Sequence, residues 1–380
     1  MRQDAQQADR RYAVRREARA WHAAEAIDAA TLAAIEAAYP DDRRRLGPAL
    51  RALVATFTLV AASACFGILA LVTPRSAEEA LVLLFGIALL ALTDLQTGPL
   101  RRSQAGAEAA TALLGVIFAT AGIGVLSEDV SATLAALFAI GALAAWRWGY
   151  ALAAAVATIA LLLLLARLPG GRSLWIAAGL ALPPLFLPAG DSARLAPSLR
   201  QCARVVAGVA LLGLYFAFHI GSWDHHLVEE LGGAPNGAHG VALRPIFIAG
   251  TALVPLGVLV YGLRSRRTEF LTLGVLLALA SSVTLRFYVH VAPLWVVLSA
   301  GGLFVIALGL GLRRFLHGGP DRERFGFTAE PLFDRGAGRG VAEIAAGLAA
   351  FAPAAQAGPE PDTLKPGGGR YGGGGASGTY

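Results

Sequence analysis

Cysteine and lysine are almost missing from this 380-residue chain, which has two cysteines and a single lysine, Lys365. Cys65 and Cys202 are too far apart in the sequence for the closely spaced ligand pairs of structural zinc sites, and too few for a disulfide framework. Nucleophile elbows and HExxH metal motifs are missing too, and no catalytic, nucleotide or metal signature rises above the background expected by chance. We therefore expect no cofactor, and these absences favour a protein without enzymatic activity.

Charge is also scarce, since only 15% of the residues are charged, compared with roughly 25% in soluble domains. Long apolar stretches take the place of the charged residues. The first stretch, Ala52 to Val72, is uncharged and, at ~1.5 Å per residue, is long enough to cross the ~30 Å hydrocarbon core of a bilayer. The pattern predicts an all-α, polytopic transmembrane helical bundle of about ten spans. These are residues 52–72, 80–92, 107–126, 130–145, 150–166, 174–189, 205–220, 246–263, 270–285 and 294–312.

Composition divides the chain into three regions. Residues 1–50 are polar and predict a small cytoplasmic helical hairpin, whereas residues 51–314 predict the transmembrane bundle. Residues 315–380 are rich in glycine and alanine and predict a disordered, low-complexity cytoplasmic tail. The hairpin and the tail are the two regions where we expect a protein partner, if there is one.

The polar N-terminal region has the pattern of two short helices. Asp9 to Ala24 is rich in helix formers. Asp28 suits the N-cap of a second helix from Ala29 to Ala38, which Pro40 ends. Apolar side chains are spaced to form one seam, which predicts packing of the two helices on each other or on the bundle, with a partner-binding face as the alternative. The seam consists of Trp21, Ile27, Leu32, Ile35 and Tyr39.

Arginine is distributed unequally between the loops, and this predicts the orientation. With a cytoplasmic N-terminus, the inside loops carry about three times as many arginines as the outside loops, which is the bias of cytoplasmic loops. A break between two spans at Trp146 to Tyr150 is needed to keep this bias. We therefore predict a multi-pass protein of a bacterial cytoplasmic (inner) membrane with both termini cytoplasmic. The net charge of +6 then favours contact with the anionic lipid bilayer, and no nucleic-acid binding is expected.

The run from Trp21 to Leu71, "WHAAEAIDAATLAAIEAAYPDDRRRLGPALRALVATFTLVAASACFGILAL", resembles a bacterial family of integral membrane proteins, the domain of unknown function 2157. In that family a tryptophan, an Ile-Asp-like step and a short helix precede the first span. The run from Phe287 to Phe315 is similar to the closing spans of such proteins. The resemblance implies a multi-span inner-membrane protein, and it carries over no catalytic residue.

The richest polar segment lies in the predicted outside loop from His219 to Gly240. On a short helix, the pairs His225 with Glu229 and His226 with Glu230 are one turn apart. Imidazole and carboxylate groups at this spacing can hold a divalent metal, with a third ligand such as His219 or His239, or titrate between pH 5 and 8. The third and simplest interpretation is an interfacial helix whose apolar residues face lipid or protein.

Ionisable groups and prolines within the spans suggest a solute pathway. Arg286 lies on the arginine-poor side beside Tyr288 and His290, and it is predicted either to pair with Asp94 or a loop acid or to anchor the helix at the interface. Pro183, Pro184 and Pro188 lack the backbone N–H groups that a helix uses as hydrogen-bond donors. They predict a break in one span, as in the broken helices at transporter binding sites.

The sequence thus leaves two functions open. A non-enzymatic envelope scaffold or sensor is favoured, because polar residues in the spans are few and the polar appendages are distinctive. The alternative is a secondary transporter of a small solute, with a proline-broken helix at Pro183–Pro188 and a path past Arg286, Tyr288 and His290.

Overall fold

The computed structural model describes residues 3–289, except for residues 42, 44, 103–104, 233–242 and 266, together with scattered positions between 296 and 328. Nearly all of these residues are helical. The helices are α1 (Gln3–Ala23), α2 (Ala29–Ala38), α3 (Pro48–Val72), α4 (Glu78–Thr97), α5 (Ala107–Ser127), α6 (Val130–Trp148), α7 (Ala151–Ala166), α8 (Gly171–Asp191), α9 (Pro197–Phe218), α10 (Ile220–Asp224), α11 (Leu227–Gly232), α12 (Arg244–Ser265) and α13 (Thr268–Val289). A 3₁₀ turn at Arg75–Ala77 precedes α4, and two-residue strands β1 (Glu323–Arg324) and β2 (Phe327–Thr328) pair antiparallel.

Eight of the described helices are long and apolar enough to cross a membrane, which agrees with the predicted helical membrane bundle. They are α3 to α6, α8, α9, α12 and α13. Large apolar side chains such as Phe57, Leu71 and Leu185 are exposed on their outer faces, as is expected of helices that contact lipid. The predicted span 294–312 and the tail 315–380 lie largely outside the described residues, so the count of ten spans stays a prediction.

Helix α7 has only 16 residues, but it extends through the depth of the bundle beside α9. Near its start, Ala154 packs with Ala145 and Cys202, and near its end, Leu162 and Ala166 pack with Ala217. The predicted break before α7 is confirmed, because α6 ends at Trp148 and Gly149 adopts a φ of 75°. This left-handed conformation ends the helix and is open to glycine at little cost.

Neighbouring helices pack as antiparallel pairs, namely α4 with α5, α6 with α7, α8 with α9, and α12 with α13. Helix α9 is central and contacts α7, α8 and α12. Helix α3 lies at the edge, and no residue of its most apolar window is buried. A bundle with an uncovered apolar helix at its edge needs lipid or another protein to cover it.

The N-terminal hairpin forms as predicted, although α1 begins at Gln3 and not at Asp9. Asp28 caps α2 by accepting a 2.8 Å hydrogen bond from the Thr31 amide, which lowers the pKa of the Asp28 carboxyl. The apolar seam is less important than predicted, because Trp21 is exposed and Arg19 joins the helices through a 2.6 Å contact with Glu36. The hydrogen bond from Arg19 lowers the pKa of the Glu36 carboxyl.

The hairpin lies against one end of the bundle, which we call the hairpin end. Asp9 of α1 accepts a 2.9 Å hydrogen bond from the Ser198 amide, at the start of α9. Arg43, which follows the hairpin, donates to the Thr97 carbonyl at 2.8 Å, at the end of α4. We call the opposite end, with Arg167, Arg172 and the α10–α11 segment, the distal end.

Candidate functional site

The polar segment at the distal end does not form the single helix that the sequence predicts. His225 and His226 lie in a turn between α10 and α11, where His226 has a φ of 50°. This left-handed conformation interrupts the helix, so His225 is not on the same helix as Glu229. The predicted one-turn spacing is therefore wrong for His225 and Glu229, whereas His226 and Glu230 stay one turn apart, since the Glu230 amide donates to the His226 carbonyl at 2.9 Å.

Glu229 instead forms a buried ion pair with Arg172, the second residue of α8. Arg172 donates from Nε and Nη2 to the two carboxylate oxygens of Glu229, each at 2.8 Å. Its remaining N–H groups donate to the Ala217 carbonyl at 2.9 Å and to the hydroxyl and carbonyl of Ser222 at 3.0 and 2.8 Å. All five guanidinium N–H groups are paired, in a site where Arg172 is only 8% exposed.

This network connects α8, α9, α10 and α11 through hydrogen bonds. Its role is therefore to stabilise the packing of these helices. The guanidinium group also lies 5.2 Å from the ring centroid of Trp223, which stacks on Phe247 at 3.9 Å. Arg172 was not among the residues singled out in the sequence. Its position in the sequence could have identified it, because Arg172 is one of the few arginines at the arginine-poor ends of the spans.

The metal or pH-sensing role of His225, His226, Glu229 and Glu230 stays a prediction. His225 and Glu230 are exposed, whereas Glu229 is taken up by Arg172. Among the described residues, no group of three histidine, cysteine, aspartate or glutamate side chains lies together. His239, one of the predicted third ligands, lies outside the described residues.

The predicted solute-path residues Arg286 and Tyr288 lie near the distal end of α13, and His290 lies outside the described residues. The predicted pair of Arg286 with Asp94 is wrong, because Asp94 lies at the hairpin end and binds Arg147. Arg147 donates from Nε and Nη2 to Asp94 at 3.0 and 3.1 Å. Tyr288 packs against Ile220, Trp223 and Phe247.

The second part of the predicted solute path, the triple-proline segment, lies in a continuous helix. Helix α8 continues to Asp191 through all three prolines, so the predicted break is wrong. The prolines have no N–H group to donate, but flanking helical hydrogen bonds and packing on α9 hold the helix together. Pro183, Pro184 and Pro188 line an apolar groove of about 940 Å³ between α8, α9 and α12. Asp191, which pairs with Arg267, and Tyr261 supply polar groups at its hairpin-end opening.

A second cavity, of about 490 Å³, lies beneath the hairpin at the hairpin end. We call it the hairpin cavity. Its wall is shared between the N-terminal region, which contributes Asp9 and Arg43, and the helical bundle. The bundle contributes Asp94, Arg147, Glu108, Tyr150, Arg51 and Arg102. Its volume falls within the ~300–1,000 Å³ range of small-molecule sites.

Several of the charges around the hairpin cavity already have partners. Asp94 binds Arg147 and also accepts a 3.3 Å hydrogen bond from the indole of Trp148. Asp9 caps α9 through the Ser198 amide, and Arg43 donates to Thr97 and, at 3.2 Å, to Asp4. These contacts hold the wall of the cavity in place.

Two polar groups that line the hairpin cavity have oxygen atoms without a partner among the described residues. Glu108 is 1% exposed, and its Oε1 accepts a 2.7 Å hydrogen bond from the Ala105 amide. Its Oε2 has no hydrogen-bond partner, and neither has the buried hydroxyl of Tyr150. Buried polar atoms in this state cost free energy, and a water molecule, an ion or a ligand can pair with them. The sequence shows Glu108 only as one of the few acids near the end of a span.

The chain matches no family model, and comparison with curated proteins and with solved structures finds no similar protein. The resemblance of Trp21 to Leu71 to domain of unknown function 2157 therefore stays a prediction.

Proposed function

We propose that this chain is a non-enzymatic, multi-span protein of a bacterial inner membrane that acts as a sensor, with the hairpin end facing the cytoplasm. The observation that carries the proposal is the shared wall of the hairpin cavity. Because Asp9 of α1 and Glu108 of α5 line the same space, a ligand bound there contacts both the hairpin and the bundle. A ligand that contacts both the hairpin and the bundle stabilises the arrangement in which both can contact it. Ligand binding can therefore change the position of the hairpin relative to the bundle.

The distribution of arginine supports the proposed orientation. Arginines cluster at the hairpin end of the described bundle and are few at the distal end, and cytoplasmic loops have such an excess. At the hairpin end these are Arg43, Arg45, Arg51, Arg101, Arg102, Arg147, Arg194, Arg200, Arg204, Arg264 and Arg267, against Arg75, Arg167, Arg172, Arg244 and Arg286 at the distal end.

The attachment of the hairpin is polar and local, which suits a movable part. It includes the partly buried contacts of Asp9 with Ser198 and of Arg43 with Thr97, and an exposed hydrogen bond from Arg10 to the Arg194 carbonyl. Arg45 also lies 3.8 Å from the ring centroid of Tyr12. Hydrogen bonds of this kind each contribute about 0.5–1.5 kcal/mol, so a modest ligand affinity is enough to shift the hairpin.

Spin labels test this proposal. Labels at Ala33→Cys on α2 and Ala193→Cys beside α9, in a background with Cys65 and Cys202 replaced, should show one main distance in lipid vesicles. Asp9→Ala should add a longer-distance population, because the amide of Ser198 loses its acceptor. The control Glu17→Ala, which removes an exposed acid from the same helix, should keep the single distance.

An unchanged distance in Asp9→Ala would contradict a movable hairpin and favour a fixed scaffold. The Ala33→Cys variant also tests the orientation. A membrane-impermeant maleimide should label it only in opened cells, and labelling of intact cells would place the hairpin outside.

The apolar groove along α8 favours one second candidate, a secondary transporter of an apolar or amphipathic solute. Its prolines, together with Leu214 and Val258, offer an apolar wall, and Asp191 lies at the opening. Transport requires such a space to become accessible from both sides of the membrane in turn.

Filling the groove tests the transporter. Gly257 lines the groove, and a Cβ atom added there meets no atom within 4 Å, so we expect the side chain of Gly257→Leu to extend into the groove without disturbing the fold. If the protein transports rhodamine 6G, an amphipathic cation, into proteoliposomes under a pH gradient, Gly257→Leu should reduce the rate at least tenfold. Gly208→Leu, equally free of contacts but outside the groove, is the control. Equal transport rates in the unaltered protein, Gly257→Leu and Gly208→Leu would show that the solute does not pass through the groove.

A further inference from the structure

We propose that the hairpin cavity binds a small zwitterion, in which an ammonium group contacts Glu108 and Tyr150 and an anionic oxygen group contacts Arg51 and Arg102. This inference rests on the proposed function, because it names the ligand class of the same cavity. The ligand chemistry is that of a free amino acid or phosphoethanolamine, and equally that of an ethanolamine phospholipid headgroup.

The ammonium end of the proposed ligand follows from the chemistry of Glu108. One oxygen of its carboxyl group is fixed by the Ala105 amide at 2.7 Å, and the other has no partner among the described residues. A carboxylate buried to this degree is stabilised by a donor that also brings positive charge. An ammonium group has three N–H donors, and the cavity wall offers two unpaired oxygen atoms to accept them, on Glu108 and Tyr150.

Two arginines of the cavity wall, Arg147 and Arg43, do not supply that charge to Glu108, because they have other partners. Arg147 is committed to Asp94 by two hydrogen bonds, and Arg43 donates to Thr97 and Asp4. The cavity therefore has a buried acidic position in a wall that also carries four arginines, Arg43, Arg51, Arg102 and Arg147. This separation of charge is complementary to a molecule that carries both signs.

The anionic end follows from Arg51 and Arg102, which line the same cavity from α3 and from the loop after α4. The acids Asp9 and Asp94 are already occupied by the Ser198 amide and by Arg147. Guanidinium groups in a partly enclosed wall bind carboxylate or phosphate oxygens through paired N–H donors. A ligand with only one charge would satisfy either the acidic or the basic part of the wall, and not both.

Phosphoethanolamine is a suitable probe, because it joins an ammonium to a phosphate. Calorimetric titration of the full-length protein should show binding of this probe at least tenfold tighter than binding of ethanolamine or of inorganic phosphate. Glu108→Gln should weaken binding at least tenfold, and so should Arg51→Gln combined with Arg102→Gln. Glu17→Gln, an exposed acid on α1, should leave it unchanged.

A lipid arm distinguishes the two sources of the ligand. In native mass spectra of protein taken from phosphatidylethanolamine–phosphatidylglycerol nanodiscs, retained phosphatidylethanolamine with no binding of the free probe would identify a lipid headgroup as the ligand. Binding of free phosphoethanolamine without lipid retention would identify a soluble zwitterion. Both results support the proposal.

The proposal is overturned if neither form binds, or if inorganic phosphate or ethanolamine alone binds as tightly as the zwitterion. These comparisons use the unaltered protein, so they decide the matter even if Glu108→Gln fails to fold. Failure here is distinguishable from failure of the sensor. A bound zwitterion with no change in the Ala33–Ala193 distance would contradict sensing alone, and a moving hairpin without zwitterion binding would contradict the ligand class alone.

Discussion

Replacing Arg172 with methionine is expected to destabilise the protein by about 3–5 kcal/mol, because it leaves the buried carboxylate of Glu229 without its positive partner. The bidentate contact of these side chains, each bond 2.8 Å long, is the centre of the distal network. Loss of Arg172 also removes the donors to Ala217 and Ser222, and so releases α10 and α11 from α8. Reversible unfolding in mixed micelles with increasing SDS measures this change.

Two further variants separate the buried charge from the loss of packing. Arg172→Met combined with Glu229→Met should be more stable than Arg172→Met alone, because no buried charge is left unpaired. Arg244→Met breaks an exposed pair with Asp224, 3.2 Å long, and should cost only about 0–1 kcal/mol. Equal losses in Arg172→Met and Arg244→Met would show that the Arg172 network does not hold the distal end together.

Replacing Gly86 with alanine is expected to cost about 1–3 kcal/mol or more, because the added methyl group meets the backbone of the facing helix. A Cβ atom at Gly86 would lie 2.2 Å from the Ala119 amide nitrogen, and a backbone atom cannot turn aside as a side chain can. Helices α4 and α5 must then move apart at the contact between Gly86 and Ala119. The expected result is a lower unfolding midpoint in detergent.

Gly67→Ala is the matched control, since Gly67 also lies within a predicted span but has no atom within 4 Å of an added Cβ. It should leave the unfolding midpoint unchanged or raise it slightly, because alanine is the better helix former. If Gly86→Ala were as stable as Gly67→Ala, the close approach of α4 and α5 would not contribute to stability.

Local patterns explain which features the sequence predicted correctly. Length and continuous apolarity predicted the helical spans. Asp28 and Pro40 predicted the limits of α2 because a cap acts on amides within one turn. These features depend on residues that are neighbours in the sequence. The break between α6 and α7 was predicted from the arginines of all the loops, and the structure places it at Gly149.

Long-range pairing explains where the sequence predictions were wrong. Glu229 lies one turn from a histidine in the sequence, but its partner, Arg172, is 57 residues away. Asp94 was one of the partners that the sequence suggested for Arg286, whereas its actual partner, Arg147, is 53 residues away. In a bundle of antiparallel helices, which charges meet is decided by which ends lie together, and hydropathy does not specify that.

By itself the sequence determined that this is a helical chain suited to a bilayer, because uncharged runs of this length have few other stable solutions. Only the tertiary structure decided that Glu108, Tyr150, Arg51 and Arg102 line one cavity beneath the hairpin, and that the Pro183–Pro188 segment lines a groove while remaining helical. The physical reason is that a transmembrane helix forms from its own backbone hydrogen bonds, whereas a site forms only where separate helices pack.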